Sequence, residues 1–232
     1  MTKLLAYHND VKIKEKILNQ LQEHYESDEI VQGIYWENGK GCAVGCTIHS
    51  SNHKEYETKF GIPVQLAYLE DKIFEGLPND LSKEWPIRFM SSINVGADLS
   101  KVWAKFVIWL LEYKKDGVIK YANTDEHKII IRTVAELYKK SLTEEVNEKE
   151  FIDASDLYVS RDYDSPAAIR YSYAAGSASA ASSARTDAYD TSYASTYAAN
   201  AAVFADRTEV AASESAFIKQ SEKLIELLKD CH

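Results

Sequence analysis

The chain has 232 residues, 45% of them hydrophobic and 11% aromatic, which suffices for a buried core and excludes a disordered chain. Its 27 Lys and Arg against 36 Asp and Glu leave a net charge of -9, which disfavours a nucleic-acid partner, because that binding neutralises phosphates with basic side chains. Nine glycines and four prolines are few breakers for this length and favour long helices over many short strands.

Acidic chains can imitate DNA, but here acids alternate with bases, as in VNEKEF and LEDKIFE, the pattern of a solvated helix surface. The opening MTKLLAYHNDVKIKEKIL holds no apolar run of signal-peptide length. Nothing later reaches the roughly eighteen apolar residues of a membrane span, so no membrane partner is expected. Three cysteines are few and odd for a disulfide framework and read as cytosolic thiols, hence an expected cytoplasmic location.

In chain order, Ile13, Ile17, Leu18, Leu21 and Tyr25 recur at helical spacing after Asp10. Asn52 and Glu55 have the spacing of a capping box, with Gly61 closing the short helix. Pro63 suits a first turn ahead of Leu66, Leu69 and Ile73, and Gly76 with Pro78 stops that helix. Asn79 is placed to cap a segment carrying Leu81, Trp85 and Phe89, which Pro86 must kink or restart. Asp98 is read as the cap of the most apolar helix, with Leu99, Trp103, Phe106 and Leu110 along one side, Val102, Trp109 and Tyr113 widening it, and KKDG ending it. Thr124 or Asp125 starts a helix with Ile130, Val134, Leu137 and Tyr138 inward. Asn147 and Glu150 repeat the capping pattern before Phe151, Ala154, Leu157 and Tyr158.

At Ser165-Pro166 the composition turns to Ala, Ser and Tyr. Ser165 and Pro166 fit an N-cap and first turn, and Tyr189, Tyr193, Tyr197, Ala201 and Ala205 step by four, so helices rather than a linker are expected. A break is expected over Arg185 to Asp190, then a closing helix using Phe217, Leu224, Ile225 and Leu228. The tyrosine stripe is assigned first to packing on the protein's own helices and second to a homodimer through Tyr189, Tyr193 and Tyr197.

The stretch YWENGKGCAVGCTIHSSNH, residues 35–53, concentrates two cysteines, two histidines and three glycines. Asn38-Gly39 between IYWE and KGCAV is the sequence of a type I′ hairpin, which must lie against helices to be stable. Gly41 and Gly45 would mark close backbone approach, and Trp36, Asn38, Lys40, Gly41 and Cys46 are candidate ligand-binding residues beside the hairpin. A zinc reading uses Cys42, Cys46, His49 and His53. On one continuous helix the first and last would lie about 16 Å apart, too far for one ion; an irregular loop through Gly39, Gly41 and Gly45 would allow it, but the ligand spacings match a zinc site only loosely, and no metal is expected. An enzyme reading makes Cys42 a nucleophile at a helix N-terminus, with Cys46, His49 or His127 assisting. Gly39, Gly41 and Gly45 miss a dinucleotide fingerprint by one residue.

The block YWENGKGCAVGCTIH, continued by GIPVQLAYLEDKIFEGLPNDLSKEWPIRF and the Ala-rich tail, resembles a family of bacterial and phage proteins that brings no activity, cofactor or catalytic residue with it. The tail separately resembles helical immunity-type proteins that neutralise bacterial toxins.

These readings predict a mainly α protein: a single helical domain with one short β-hairpin at Asn38-Gly39. Residues 1–164 would form a helical core with the hairpin inserted at 33–46, and residues 165–232 an Ala/Ser/Tyr-rich helical region packed on it. The expected function is a non-enzymatic cytoplasmic binding protein with a protein or small-ligand partner and no cofactor. Its setting would be phage- or mobile-element-encoded modulation of a bacterial toxin or defence system. The alternative is a cysteine-dependent enzyme with Cys42, His49 and His127.

Overall fold

The computed structural model describes residues 4–122, 124–157, 176–184, 187–206 and 209–232. The protein is mainly helical with one two-stranded antiparallel hairpin among the described residues. Contacts group it into two compact units, residues 1–102 with 221–232 and residues 103–220. The composition change at Ser165-Pro166 falls outside the described residues, as does Tyr158.

In the first unit, α1 (Val11–Glu26) starts where the sequence places it, with the Asp10 carboxylate accepting from the Lys12 N–H. The hairpin strands β1 (Trp36–Glu37) and β2 (Lys40–Gly41) pair Trp36 with Gly41 across Asn38 and Gly39. Both turn residues have the positive φ of a type I′ turn, 52° and 83°. Then follow α2 (Ala43–Ile48), α3 (Glu55–Phe60), α4 (Val64–Gly76) and α5 (Asn79–Ser92). α1 packs on α5 and α2, and α4 packs on α5, α2 and α3. Leu21, Tyr56, Leu66, Ile73, Phe74, Trp85 and Phe89 are sealed from solvent.

Several local expectations shift. The Asn52–Glu55 capping box does not form: Glu55 is already helical, Lys54 occupies the cap position, and the Glu55 carboxylate pairs with Lys59 at 2.7 Å. A lysine one turn along the helix outcompetes the cap as a partner for that carboxylate. Pro63 precedes α4 as its cap, and α5 begins at Asn79 with Pro78 in the cap position. α5 runs unbroken through Pro86, which is buried beside Trp85 and Phe89. A helix-interior proline costs one hydrogen bond, here outweighed by the surrounding apolar burial. One feature has no signal in the sequence pattern: Tyr7, His8 and Asn9 are consecutive left-handed residues. Tyr7 is fully buried there, its hydroxyl donating to the Met90 carbonyl at 2.6 Å.

The second unit opens with α6 (Val102–Glu112), most of which lies in it and where Trp103, Phe106 and Leu110 are buried, whereas Tyr113 beyond its end is exposed. Thr124 caps α7 (Asp125–Ser141) by accepting from the His127 N–H. The second capping box does form at α8 (Glu148–Asp156): the Asn147 side chain accepts from Lys149 N–H and Glu150 accepts from Asn147 N–H. Leu157, expected inward, is exposed.

Residues 176–183 form α9, a turn at 187–189 separates it from α10 (Asp190–Asp206), and α11 (Glu209–Lys229) closes the chain. In α11, Phe217, Leu224, Ile225 and Leu228 are all buried, as expected. The tyrosine stripe is the correction here: Tyr189 and Tyr193 are 45% and 40% exposed, and the buried face of α10 is Thr191, Ala194, Ser195, Ala198 and Ala201. Small side chains allow close helix approach, and serine hydroxyls then bridge backbones. Ser177 donates to the Ala194 carbonyl at 2.8 Å, and Ser195 and Gln220 bond each other at 2.6 Å. Tyr193→Ala is therefore expected to leave the thermal midpoint within about a degree of wild type, the usual result for a surface site. A drop of several degrees that is the same at every protein concentration would place that ring in the core.

Among the described residues no helix is long and apolar enough to cross a membrane.

Candidate functional site

The glycine-cysteine stretch is built around one close approach. The loop before β1 lays the Tyr35 carbonyl over α2, where a Cβ on Gly45 would stand 1.5 Å from the Tyr35 oxygen and one on Gly41 2.2 Å. Only glycine admits this contact. Cys42 N–H donates to the Ile34 carbonyl at 2.6 Å, which fastens the loop to the start of α2.

α2 is short, and its last four carbonyls need partners from outside a regular helix. Gly45 O accepts from His49 N–H, at 2.8 Å. Gln20 of α1 donates to Cys46 O at 2.7 Å and to Thr47 O at 3.0 Å. Lys59 of α3 donates to Ile48 O at 3.0 Å. α1 and α3 are thereby held against the C-terminal end of α2, and between the three helices lies a cleft of about 340 Å³. Ile13, Ile17, Ile48 and Phe60 give it an apolar floor, Lys16, Lys59 and His49 a basic rim, and no carboxylate is among its lining residues.

His49 occupies the left-handed cap position of α2, with φ 54°. Its exposed ring stacks on Trp36, centroids 4.3 Å apart and planes 12° apart. His49 Nε2 lies 2.9 Å from His24 Nε2, and His24 Nδ1 lies 2.6 Å from Glu29 Oε2. The His24 and His49 centroids are 5.1 Å apart, so the separation exceeds the nitrogen distance by about two ring radii and the nitrogens meet head-on. Head-on nitrogens share a proton rather than a metal ion. With Glu29 accepting from His24 Nδ1–H, His24 Nε2 accepts from His49 Nε2–H, and His49 Nδ1 is left as an acceptor. Burial, then the neighbouring His24 and Lys59, hold the His49 pKa below the ordinary imidazole value.

Cys42 does stand at the N-terminus of α2, its sulfur accepting from Gly45 N–H at 3.4 Å, the geometry the nucleophile reading requires. Its surroundings act the other way. The residue is 1% exposed, and burial, followed by the Asp71 carboxylate, raises the thiol pKa. A helix terminus lowers a thiol pKa only where the thiolate can be solvated or paired with a cation. His49 is engaged by His24 and Trp36, and His127 lies on the first turn of α7 in the second unit.

The remaining candidates divide. Trp36 is half-buried on His49, and Asn38 and Lys40 are exposed at the hairpin turn. Gly41 is buried beneath Tyr35 O. Cys46 is sealed, its thiol donating to the Gly41 carbonyl at 3.3 Å and its pKa pushed up to about 12 by burial. His53 is buried away from His49, 3.3 Å from Asp71 Oδ2 and stacked on Tyr68. Among the described residues no group of three or more His, Cys, Asp or Glu is arranged to hold a metal ion.

Sequence reasoning missed Lys16, Gln20, His24, Glu29 and Lys59. On α1 His24 reads as one more polar residue opposite the apolar stripe, and nothing local announces that it meets His49 twenty-five positions later. No family model, curated protein or solved structure matches the chain.

Proposed function

We propose that the protein is a non-enzymatic binding protein whose small ligand, or partner side chain, enters the cleft between α1, α2 and α3. The cleft itself carries this reading: its volume lies at the small end of the range for ligand sites, about 300–1,000 Å³, and it joins an apolar floor to a few oriented polar groups. A homodimer through Tyr189, Tyr193 and Tyr197 belongs to the same proposal, supported by the exposure of Tyr189 and Tyr193. So do a cytoplasmic location, supported by the few and odd-numbered cysteines, and a role as a phage- or mobile-element-encoded modulator of a bacterial toxin or defence system, whose support is the sequence resemblance.

The competing reading, a cysteine-dependent enzyme, has the position of Cys42 in its favour and its burial against it. Two measurements separate them. A thermal-shift screen of small molecules should return ligands that stabilise the wild type and not Ile13→Trp, which fills the cleft. Iodoacetamide should modify Cys42 more slowly than a free peptide thiol from pH 6 to pH 8. Ligands indifferent to Ile13→Trp would remove the cleft reading, and fast alkylation of Cys42 near pH 6 would restore the enzyme.

A further inference from the structure

The cleft's chemistry narrows the ligand. In a chain of net charge -9 its lining residues include two lysines and a histidine and no carboxylate. Chance would favour acids, so the local reversal of sign is a selection among ligands. Lys59 is partly spent, since it pairs with Glu55 at 2.7 Å and caps Ile48 O at 3.0 Å. Lys16 is exposed at the rim, and His49 presents Nδ1 because its other nitrogen faces His24. The Lys16 ammonium and a ring nitrogen that becomes a donor on taking up a proton, set above an apolar floor, match the two oxygens of one carboxylate on an apolar body.

We propose that the cleft binds a small organic monocarboxylate with an apolar chain, and that binding takes up a proton at the His24–His49 pair. This rests on the cleft being the binding site. The charged groups around His49 are His24 and Lys16 of α1, Glu29 before the hairpin, and Lys59 with its partner Glu55 on α3. In the free protein the neighbouring His24 and Lys59 oppose a charge on His49, and Glu29 favours it. An anion at the rim offsets the charges of Lys16 and Lys59. His49 Nδ1 then gains a proton and donates to a carboxylate oxygen, while His24 Nε2 still accepts from His49 Nε2–H and Glu29 still accepts from His24 Nδ1–H. Every hydrogen bond of the relay survives the added proton.

The sign follows directly. A bound anion raises the His49 pKa, so the complex holds more protons than the free protein and affinity rises as pH falls. A nearby opposite charge moves a pKa by about one unit or more, which is about tenfold in affinity.

The test is calorimetric titration of the full chain with octanoate at pH 5.5 and pH 8, in two buffers of different ionisation heat. Octanol, octylamine and inorganic phosphate serve as comparisons. Octanoate should bind about tenfold tighter at pH 5.5, with proton uptake seen as a buffer-dependent heat, and octanol, octylamine and phosphate should bind more weakly. His49→Gln should retain weakened binding and lose both the pH dependence and the proton uptake. Lys16→Gln, at an exposed position, should weaken octanoate at both pH values while leaving octanol unchanged. Octanoate failing to bind, binding without proton uptake, or binding no better than octanol would each overturn the proposal. If neutral ligands sensitive to Ile13→Trp are found while octanoate fails, the cleft remains a binding site and only its carboxylate specificity falls.

Discussion

Gly45→Ala is expected to lower folding stability by ~3 kcal/mol or more and to abolish the octanoate binding proposed for the cleft. On helix propensity alone the change would be favourable, by about 1 kcal/mol for glycine to alanine within a helix. The contact decides the sign. The added Cβ would stand 1.5 Å from the Tyr35 oxygen and 2.7 Å from its carbonyl carbon, and both are backbone atoms that no rotamer change can move aside. The 30–36 loop must lift, and with it go the Cys42 N–H bond to Ile34 O and the seat of Trp36 on His49. Urea denaturation gives the stability loss, and alkylation of Cys42 should quicken as the cover over α2 opens. An alanine variant as stable as wild type, with Cys42 still protected, would mean that the loop does not lie on α2.

That contact also shows what a sequence can and cannot announce. Gly41 and Gly45 signalled close backbone approach, and Asn38-Gly39 signalled a type I′ turn, because in both cases the constraint resides in the residue type itself. Helix starts at Asp10, Thr124 and Asn147 were legible for the same reason, since a cap is a local bond. The Asn52–Glu55 box fails because Lys59 offers the glutamate another partner one turn along the helix. The tyrosine stripe misleads because large side chains are ordinarily the buried ones. In an Ala- and Ser-rich helix the close-packing face is the one without large side chains, here Ala194, Ser195 and Ala198.

The candidate site was half legible. Cys42 stands at a helix N-terminus, as the enzyme reading and not the hairpin reading has it, yet burial and Asp71, twenty-nine positions away in sequence, reverse what that placement does to the thiol. The cleft was invisible because its rim comes from α1, α2 and α3, each contributing residues that look like ordinary surface polarity on their own helix. His24 and Glu29 acquire meaning only through His49.

The largest effect away from the cleft is expected at Glu70, which is wholly buried on α4. Its Oε2 accepts from the Tyr56 hydroxyl at 2.5 Å, and Oε1 has no hydrogen-bond partner among the described residues. Burial raises its pKa well above the ordinary carboxylate value, and the adjacent Asp71 adds to the rise. Glu70→Ala should cost on the order of 3 kcal/mol, because it opens a cavity and strands the buried Tyr56 hydroxyl. Glu70→Gln keeps an acceptor for that hydroxyl and removes the titration. A carboxyl whose folded-state pKa is raised lends stability that is complete below the unfolded value of about 4.5 and is lost as pH rises through the folded value. The difference between Glu70→Gln and wild type isolates this from His49, whose lowered pKa acts oppositely, withdrawing stability as pH falls below about 6.5. Thermal midpoints should therefore show Glu70→Gln gaining on wild type from pH 4.5 to pH 8. Were Glu70→Gln instead to lose ground as pH rises, the buried group would have to be a carboxylate anion, and a cation paired with it would need to be found.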